Sequence, residues 1–316
     1  MIVCDKDTIR RILESDIKRR GNIEEEHFKD TFELKKRITE KKKEWKNLNF
    51  SKRKGEISSE LYEEFKENIL EKLKVLHELK NKLVEEKCED ISQKINFEKI
   101  SPKIKRLDHT IREKSIFVID ESSINRTPEF FFLKIVEQTL KSTFRIKFSN
   151  RDKIVSALIP SLEDGSPKYI IRTDIKKFYE NIDNRKLIKI LDEKESLPES
   201  TKAFCKKVLH QYRKIENVDK GLPRGLSLSA TLSEIFMKEI DQEISEMEDV
   251  YFYERYVDDI IIILKNSNHI EIDYIKSWEN ISSILTKNNL PINYEKTQKP
   301  IYIDPLCQDS CRLSFS

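Results

Sequence analysis

The first hundred residues carry apolar side chains at helical spacing. From about residue 58 to residue 88, leucine, isoleucine and phenylalanine recur at steps of three or four, which marks one face of an amphipathic helix. This stripe is short for a coiled coil between subunits, so we expect it to pack on the protein's own core. Its members are Leu61, Phe65, Ile69, Leu73, Leu76, Leu79 and Leu83. The pattern predicts a charged, helical N-terminal extension over residues 1–115.

After Pro102 the pattern changes to shorter apolar segments. Residues 115–120 predict a short strand, and residues 129–147 predict a mostly apolar helical stretch. A helix is expected from about Arg151 to Leu162, with Ser149 or Asn150 as its N-cap. A turn at Gly165 and Pro167 then leads into a buried strand over residues 169–173. Beyond this strand, helices and strands alternate.

Composition narrows the class of protein only slightly. The 316 residues carry a net charge of +3, with 37% hydrophobic and 37% charged side chains, and they are enough for one large domain or two to three smaller ones. No apolar run approaches the roughly 18 residues that a membrane span requires, so we expect no membrane partner. The five cysteines are scattered, without disulfide or zinc spacing, and fit a reducing cytosol.

The charge is unevenly distributed, and residues 35–55 form a basic segment. They contain ten Lys or Arg against two Glu, a local charge of +8, interleaved with Trp45 and Phe50. Lysines suit phosphate backbones and aromatic rings suit base stacking, but a solvated helical face explains the same pattern equally well. The candidate nucleic-acid-binding residues are Lys41, Lys42, Lys43, Trp45, Lys52 and Arg53.

Three aspartates follow or interrupt apolar runs. Asp174 ends the predicted strand YIIRTD, and Asp258 and Asp259 form the tip of a predicted hairpin in VYFYERYVDDIIIIL. An aspartate at a strand end or in a turn usually has only a structural role. Two adjacent carboxylates repel each other, however, and a hard divalent cation such as Mg²⁺ would neutralise them.

A glycine-rich loop lies between these aspartates. Two of the chain's five glycines, Gly221 and Gly225, bracket Leu-Pro-Arg, which indicates a sharp turn or a close approach of the backbone. A helix is expected to follow, and its N-terminus would suit a phosphate or a nascent base pair. An ordinary entry from a loop into a helix is the alternative. The expected buried face of this helix comprises Leu232, Ile235, Phe236, Ile240 and Ile244.

Taken together and in this order, the segments resemble the palm of reverse transcriptases. TDIKKFYENID resembles motif A, GLPRGLSLSA (221–230) motif B, YVDD (256–259) motif C, and the segment 290–297 motif D, while FRIKFSNRDKIV resembles the fingers. The resemblance implies an α+β fold of the right-hand polymerase type, with fingers over 116–168 and a palm with a ferredoxin-like sheet over 169–316. Several segments are also similar to bacterial antiphage-defence reverse transcriptases of the abortive-infection kind.

The resemblance assigns roles around the aspartates. Asp174, Asp258 and Asp259, helped by the backbone carbonyl of Ile175, would hold two Mg²⁺ ions, with Mn²⁺ as the alternative. Lys296 would supply charge or a proton to the pyrophosphate. Tyr179 would be the steric gate that rejects a ribose hydroxyl and so favours dNTPs, while its neighbour Phe178 lies beside the nucleotide or packs in the core.

Further residues are expected on the nucleotide side. Arg151 is the first candidate for the triphosphate clamp, since arginine matches phosphate oxygens; Lys147, Arg145 and Arg172 are the others. In motif B, Arg224 replaces the usual glutamine and Ala230 the usual proline, beside Gly225 and Ser229. An arginine at this position puts ordinary templated copying in question.

Partners and location follow from the same resemblance. We expect an RNA template or a non-coding RNA, a DNA product, dNTPs and the bacterial cytoplasm. RLSFS at residues 312–316 resembles the start of a primer-grip hairpin, after which the sequence ends, so the thumb is expected to be missing or truncated. A partner subunit, a homo-oligomer or bound RNA would then help to hold the primer and template.

Three functions remain open at the level of sequence. The first is an RNA-templated DNA polymerase in antiphage defence. The second is a template-independent or protein-primed polymerase resembling a terminal transferase, which would make homopolymers from single dNTPs without RNA. The third is a degenerate palm that serves as a non-catalytic RNA-binding scaffold, which would keep its biological activity when Asp258 and Asp259 are replaced by alanine.

Overall fold

A computed structural model of the chain describes most of its residues. The described ranges are 4–19, 21–97, 100–101, 103–107, 114–120, 122, 126–163, 165–265, 274–298 and 300–303. The chain divides into two compact units, residues 1–101 with 121–135 and residues 102–120 with 136–316. The expected boundaries at residues 115 and 168 differ from this division and stay a prediction. The segment 312–316, where a primer-grip hairpin is expected, lies outside the described residues.

The first unit is helical, as the N-terminal pattern predicts. Its buried side chains include Ile9, Leu13, Phe28, Ile91 and Phe131, and α3 packs against α4. The helices are α1 (Lys6–Lys18), α2 (Ile23–His27), α3 (Lys29–Arg53) and the 39-residue α4 (Ser59–Phe97).

The apolar stripe of α4 is only partly covered. Leu73 is buried, whereas Leu61, Phe65 and Leu79 are 47%, 48% and 43% exposed. The expectation that the whole stripe packs on the protein's own core is therefore wrong for these three residues. Tyr62 of α4 donates to Asn49 of α3 at 2.7 Å, so α3 runs alongside the start of α4. A single neighbouring helix covers a stripe narrower than the whole apolar face.

The second unit combines helices with two antiparallel sheets, which confirms the α+β class. A small sheet pairs β1 (Ile104–Arg106) with β2 (Phe117–Ile119), and a four-stranded sheet has the order β4-β5-β3-β6. Helix α5 (Arg126–Phe144) begins in the first unit and continues into the second. The remaining elements of the second unit are α6 (Arg151–Glu163), β3 (Lys168–Asp174), α7 (Phe178–Asn181), α8 (Asn184–Glu193), α9 (Glu199–Glu216), α10 (Ser227–Ser245), β4 (Val250–Tyr256), β5 (Asp259–Lys265), α11 (Tyr274–Lys287) and β6 (Ile301–Ile303).

The four-stranded sheet has the ferredoxin-like arrangement that the resemblance implies. β3, β4, β5 and β6 follow one another as βαββαβ, with β3 between β5 and β6 and antiparallel to both. The predicted helix after the glycine loop is α10, and all five residues expected on its buried face are buried. The predicted cap of α6 is also confirmed, because the Asn150 side chain accepts the N–H of Asp152 at 2.8 Å.

Two further expectations concern the whole chain. Within the described ranges, no helix combines the length and the apolar character that crossing a membrane requires. Cys4, Cys88 and Cys205 are buried free thiols, and Cys307 and Cys311 lie outside the described residues.

Candidate active site

Strand pairing brings the three aspartates to one end of the sheet. Asp174 is the last residue of β3 and lies directly opposite Asp259, the first residue of β5. Directly opposed residues of an antiparallel pair project from the same face, with Cβ atoms about 4.5–5.5 Å apart. Asp258 precedes Asp259 in the tight turn, and its carbonyl accepts the N–H of Ile175 at 3.0 Å. Aspartates that are far apart in the sequence therefore lie close together at one end of the sheet.

The turn that presents Asp258 is unusual. It contains only Val257 and Asp258, because Tyr256 already pairs with Asp259. Val257 has a φ of 60°, a left-handed conformation that is strained for a β-branched residue. Arg255 donates from Nη1 to the Val257 carbonyl at 2.8 Å and so helps to fix the turn.

Asp174 is held by two residues from the loop before β6. Its Oδ1 accepts the side-chain amide of Asn293 at 2.8 Å, and its Oδ2 lies 3.0 Å from the Nζ of Lys296. The carboxylate is nearly buried, whereas the Lys296 side chain is 62% exposed. The predicted catalytic lysine is thus in direct contact with the first predicted metal ligand.

The donor set fits a hard divalent cation by its chemistry and position. The three side chains offer only carboxylate oxygens, the ligand type that Mg²⁺ and Mn²⁺ prefer. The pKa of Asp258 is raised, first by burial and then by the negative charges of Asp174 and Asp259, which is the repulsion that a cation would relieve. As the side chains lie, no three acidic, histidine or cysteine groups among the described residues converge on one point.

Arg151 and Arg172 lie beside the same cavity next to Asp259. Both line a cavity of about 220 Å³ that also includes Tyr256 and Asp259. The Arg151 guanidinium carbon lies 4.4 Å from the centre of the Tyr256 ring. Two of the predicted triphosphate-binding arginines therefore share one cavity with a predicted metal ligand. Lys147 is exposed on the segment between α5 and α6.

The glycine loop packs against α7. Ser229 is buried, and its hydroxyl donates to the Pro223 carbonyl at 2.6 Å, so it braces the loop. Gly225 has a φ of +99°, and a Cβ there would lie 2.6 Å from the Phe117 carbonyl oxygen. This explains the requirement for glycine by a close approach of β2 rather than by a ligand.

The side chains beside this loop differ in exposure. Phe178 is 1% exposed and belongs to the core, while Tyr179 is half-buried. Arg224 forms an ion pair with Glu180 and lies over the Tyr179 ring.

The predicted nucleic-acid-binding residues belong to α3 of the first unit and fall into two groups. Lys42, Lys43 and Arg53 are exposed. Lys41 pairs with Glu44, Lys52 lies over the Tyr62 ring, and Trp45 is half-buried with its indole nitrogen enclosed and without a hydrogen-bond partner among the described residues. Base stacking on Trp45, as proposed from the sequence, would need the indole to turn outward.

Sequence reasoning missed three residues that shape the site. Arg255 fixes the turn that contains Asp258, Asn293 holds Asp174, and Glu180 pairs with Arg224. The only local signal was a charged residue within an apolar hairpin strand, at Arg255. The partners of Asn293 and Glu180 lie 119 and 44 residues away along the chain, beyond the reach of any periodicity.

Comparisons with known proteins give one family match and several similar solved structures. A family model described as reverse transcriptase (RNA-dependent DNA polymerase) matches residues 131–303. Among solved structures, apo telomerase from Candida tropicalis, truncated from its C-terminal domain, is similar with a TM-score of 0.47 and 18% identity, over 68% of this chain and 52% of that one.

A second solved structure is telomerase from Candida albicans in complex with a TWJ fragment of telomeric RNA. It is similar with a TM-score of 0.43 and 14% identity, over 71% of this chain and 44% of that one. The chain thus spans about half the length of these structures. The comparison with curated proteins gives no match.

Proposed function

The chain belongs to the reverse transcriptase (RNA-dependent DNA polymerase) family, and we propose that it adds dNTPs to the 3′ end of a primer on an RNA template. The observation that carries this proposal is the register of the palm sheet, which sets Asp174 opposite Asp259 beside the turn residue Asp258. A family match over residues 131–303 supports the chemistry, and this arrangement supports the residues that perform it.

We propose Asp174, Asp258 and Asp259, with the Ile175 carbonyl, as the ligands of two Mg²⁺ or Mn²⁺ ions. Such a pair of ions, when bound, activates the attacking hydroxyl and stabilises the leaving oxygen of a phosphoryl transfer. The carboxylates contribute fixed oxygen ligands on rigid strands, which keeps the reacting groups aligned.

The surrounding side chains would bind and select the nucleotide. Lys296, now 3.0 Å from Asp174, would exchange this contact for the pyrophosphate, to which it supplies positive charge or a proton. Arg151 and Arg172 would bind the triphosphate oxygens from their shared cavity. Tyr179 would exclude a 2′-hydroxyl and so favour dNTPs.

The test is primer extension on an RNA template with labelled dNTPs and Mg²⁺. We expect Asp258→Asn to lower the rate by about 10³-fold or more, because the loss of an ion ligand removes several kcal/mol of transition-state stabilisation. The matched control is Asp219→Asn, which removes an exposed carboxylate from the loop after α9 and is expected to keep the normal rate. Unchanged extension by Asp258→Asn would refute the proposal.

The same assay separates templated from untemplated synthesis. With a defined RNA template, the product should contain only the complementary nucleotides. Long homopolymers made from a single dNTP without RNA would contradict templated copying and favour the terminal-transferase alternative. If Asp258→Ala and Asp259→Ala kept full biological activity, the scaffold alternative would hold instead.

We also propose a role in antiphage defence in the bacterial cytoplasm. The support is the similarity of SNRDKIV, TDIKKFYENID and GLPRGLSLSA to defence-related reverse transcriptases. A culture that expresses the chain should survive phage infection better, and yield fewer phage, than a culture that expresses Asp258→Asn. Equal phage yields in the two cultures would argue against this role.

A further inference from the structure

Arg224 occupies the motif B position where reverse transcriptases usually have glutamine, and its side chain forms an ion pair within the protein. Its Nε donates to Glu180 Oε1 at 2.8 Å, and its Nη2 donates to Glu180 Oε2 at 3.0 Å. This is a two-pronged arginine–carboxylate pair, the geometry that fixes both side chains most firmly. The guanidinium is therefore held by two hydrogen bonds to a residue of α7.

The same guanidinium covers the candidate steric gate. Its central carbon lies 4.8 Å from the centre of the Tyr179 ring, within the range of a cation–π contact. The Phe178 ring meets Tyr179 at a steep angle of 66°, with ring centres 5.4 Å apart. Tyr179 is thus held by a cation on its ring, by an aromatic neighbour and by a hydrogen bond between its hydroxyl and Ser233.

The backbone around the pair leaves little freedom. The N–H of Leu222 donates to the Tyr179 carbonyl and the N–H of Gly221 to the Ile182 carbonyl, each at 2.8 Å. On the far side of the loop, the N–H of Phe117 donates to the Arg224 carbonyl at 2.7 Å. Since the loop is fixed between α7 and β2, Arg224 and Tyr179 keep a constant spacing.

Electrostatics favours the pair over a free arginine. Burial would raise the pKa of Glu180, but the hydrogen bonds and the charge of Arg224 outweigh it and lower the pKa. The arginine side chain is 21% exposed and the glutamate side chain 35% exposed. A half-buried guanidinium without Glu180 would lose its partner without full compensation from water.

We propose that the Arg224–Glu180 pair is a positioning device that fixes the Tyr179 ring and thereby sets how strongly the enzyme rejects ribonucleotides. The proposal rests on the polymerase function proposed above. It makes Arg224 and Glu180 specificity-determining residues that act through Tyr179, and it gives the departure from the usual glutamine a reason within the protein itself.

The deciding measurement is the ratio of kcat/KM for a dNTP to kcat/KM for the matching NTP. We expect Arg224→Gln and Glu180→Gln each to lower this ratio by about tenfold, because either change weakens the cation–π contact that restrains the ring. The double variant should fall no further than the single variants, since both remove one device. Arg224→Lys keeps the positive charge but loses the two-pronged pair with Glu180. Its ratio should lie between those of the normal protein and Arg224→Gln.

The matched control is Lys220→Gln. Lys220 is a cation whose Nζ donates to Asn181 on the same short helix at 2.8 Å, so its loss disturbs α7 without touching Tyr179, and the ratio should stay unchanged. If the Arg224 and Glu180 variants slowed dNTP and NTP addition equally, the pair would have only a structural role and the proposal would be overturned.

A second measurement does not depend on activity. With 3-fluorotyrosine at position 179, fluorine NMR should resolve two ring orientations in the normal protein and one averaged signal in Arg224→Gln and Glu180→Gln. An averaged signal in the normal protein would overturn the positioning device. A protein that adds no nucleotide, yet shows two signals that collapse in the variants, would refute the polymerase function and leave the ring device standing.

Discussion

Arg255 is a buried cation on the sheet that carries the candidate carboxylates. Its side chain, 4% exposed, donates to Glu234 and Asp241, and also to the Val257 carbonyl. The two carboxylates lie on α10, so this single residue joins that helix to the turn that contains Asp258. A buried charge is tolerated only while its partners remain in place.

We predict that Arg255→Met lowers the free energy of unfolding of the second unit by about 3–5 kcal/mol, because two carboxylates lose their buried partner. Trp278 lies in the second unit and Trp45 in the first, so urea unfolding in a Trp45→Phe background reports the second unit alone. The control Arg185→Met removes an exposed arginine and should change stability by less than about 0.5 kcal/mol. Equal effects of the two changes would contradict the role given to Arg255.

At the scale of elements, the glycine loop depends on close contact with β2. Gly225 and Gly165 both have positive φ angles, +99° and +67°, so alanine is strained at either position. Only at Gly225 would the added Cβ meet a backbone atom, the Phe117 carbonyl oxygen at 2.6 Å. Alanine substitutions at Gly165 and Gly225 therefore separate the free energy lost to the left-handed backbone conformation from the free energy lost to the steric contact with β2.

We predict that Gly225→Ala destabilises the second unit by about 2–4 kcal/mol, since strain and overpacking add together. Gly165→Ala, with nothing within 4 Å of its Cβ, should cost only about 1–2 kcal/mol. Trp278 fluorescence during urea unfolding measures both. Equal losses would mean that the contact with β2 adds nothing.

The exposed basic residues of α3 define one face of that helix. Lys42, Lys46 and Arg53 follow one another at steps of four and seven, which places them on one side. All three are exposed, and none forms an ion pair within the part of the chain that the structure describes. This face, rather than the half-buried Trp45, is the surface that we expect to contact an RNA backbone.

We predict that replacing Lys42, Lys46 and Arg53 together by alanine weakens RNA binding and lowers the slope of log affinity against log salt by about 2–3, because each phosphate contact contributes about 0.7–0.9 to that slope. Fluorescence anisotropy across salt concentrations measures this change. The control replaces three exposed lysines of α4, Lys72, Lys74 and Lys82. An equal loss in the control would show a general charge effect instead.

At the scale of the whole molecule, each unit has a core of its own, and the first contains a buried histidine. His27 stacks on Phe130 with ring centres 4.4 Å apart, and its Nδ1 lies 3.1 Å from the Thr127 hydroxyl. Burial, followed by the positive charge of Arg126, lowers its pKa to about 4. Lys87 acts in the same direction, whereas Asp16 opposes the shift.

A lowered histidine pKa makes the first unit sensitive to acid. The unfolded chain binds a proton near pH 6.5 and the folded chain only near pH 4, so stability falls as the pH drops through this window. We predict a loss of about 2–3 kcal/mol between pH 7 and pH 4.5. His27→Phe should flatten this dependence, measured by Trp45 fluorescence in a Trp278→Phe background. His77→Phe, at an exposed position, should retain it, and a flat curve in the normal protein would refute the prediction.

Several features were determined by the sequence alone. The buried face of α10, the cap of α6 and the strand that ends at Asp174 all follow from patterns of three to seven residues. Such patterns indicate which nearby residues lie on the same face of a helix or strand, because the local backbone geometry determines the direction of each side chain. The resemblance of the aspartate segments, the glycine loop and their neighbours to reverse transcriptase motifs also sufficed to predict an α+β fold and the family.

Only the tertiary structure decided the partners of the charged residues. Glu180 meets Arg224 and Asn293 meets Asp174 because the strands and loops between them close. The stripe of α4 shows the same limit, since periodicity predicts an apolar face but not how much of that face a neighbouring helix covers. Pairing over tens of residues depends on chain closure and packing, which the local order of side chains does not encode.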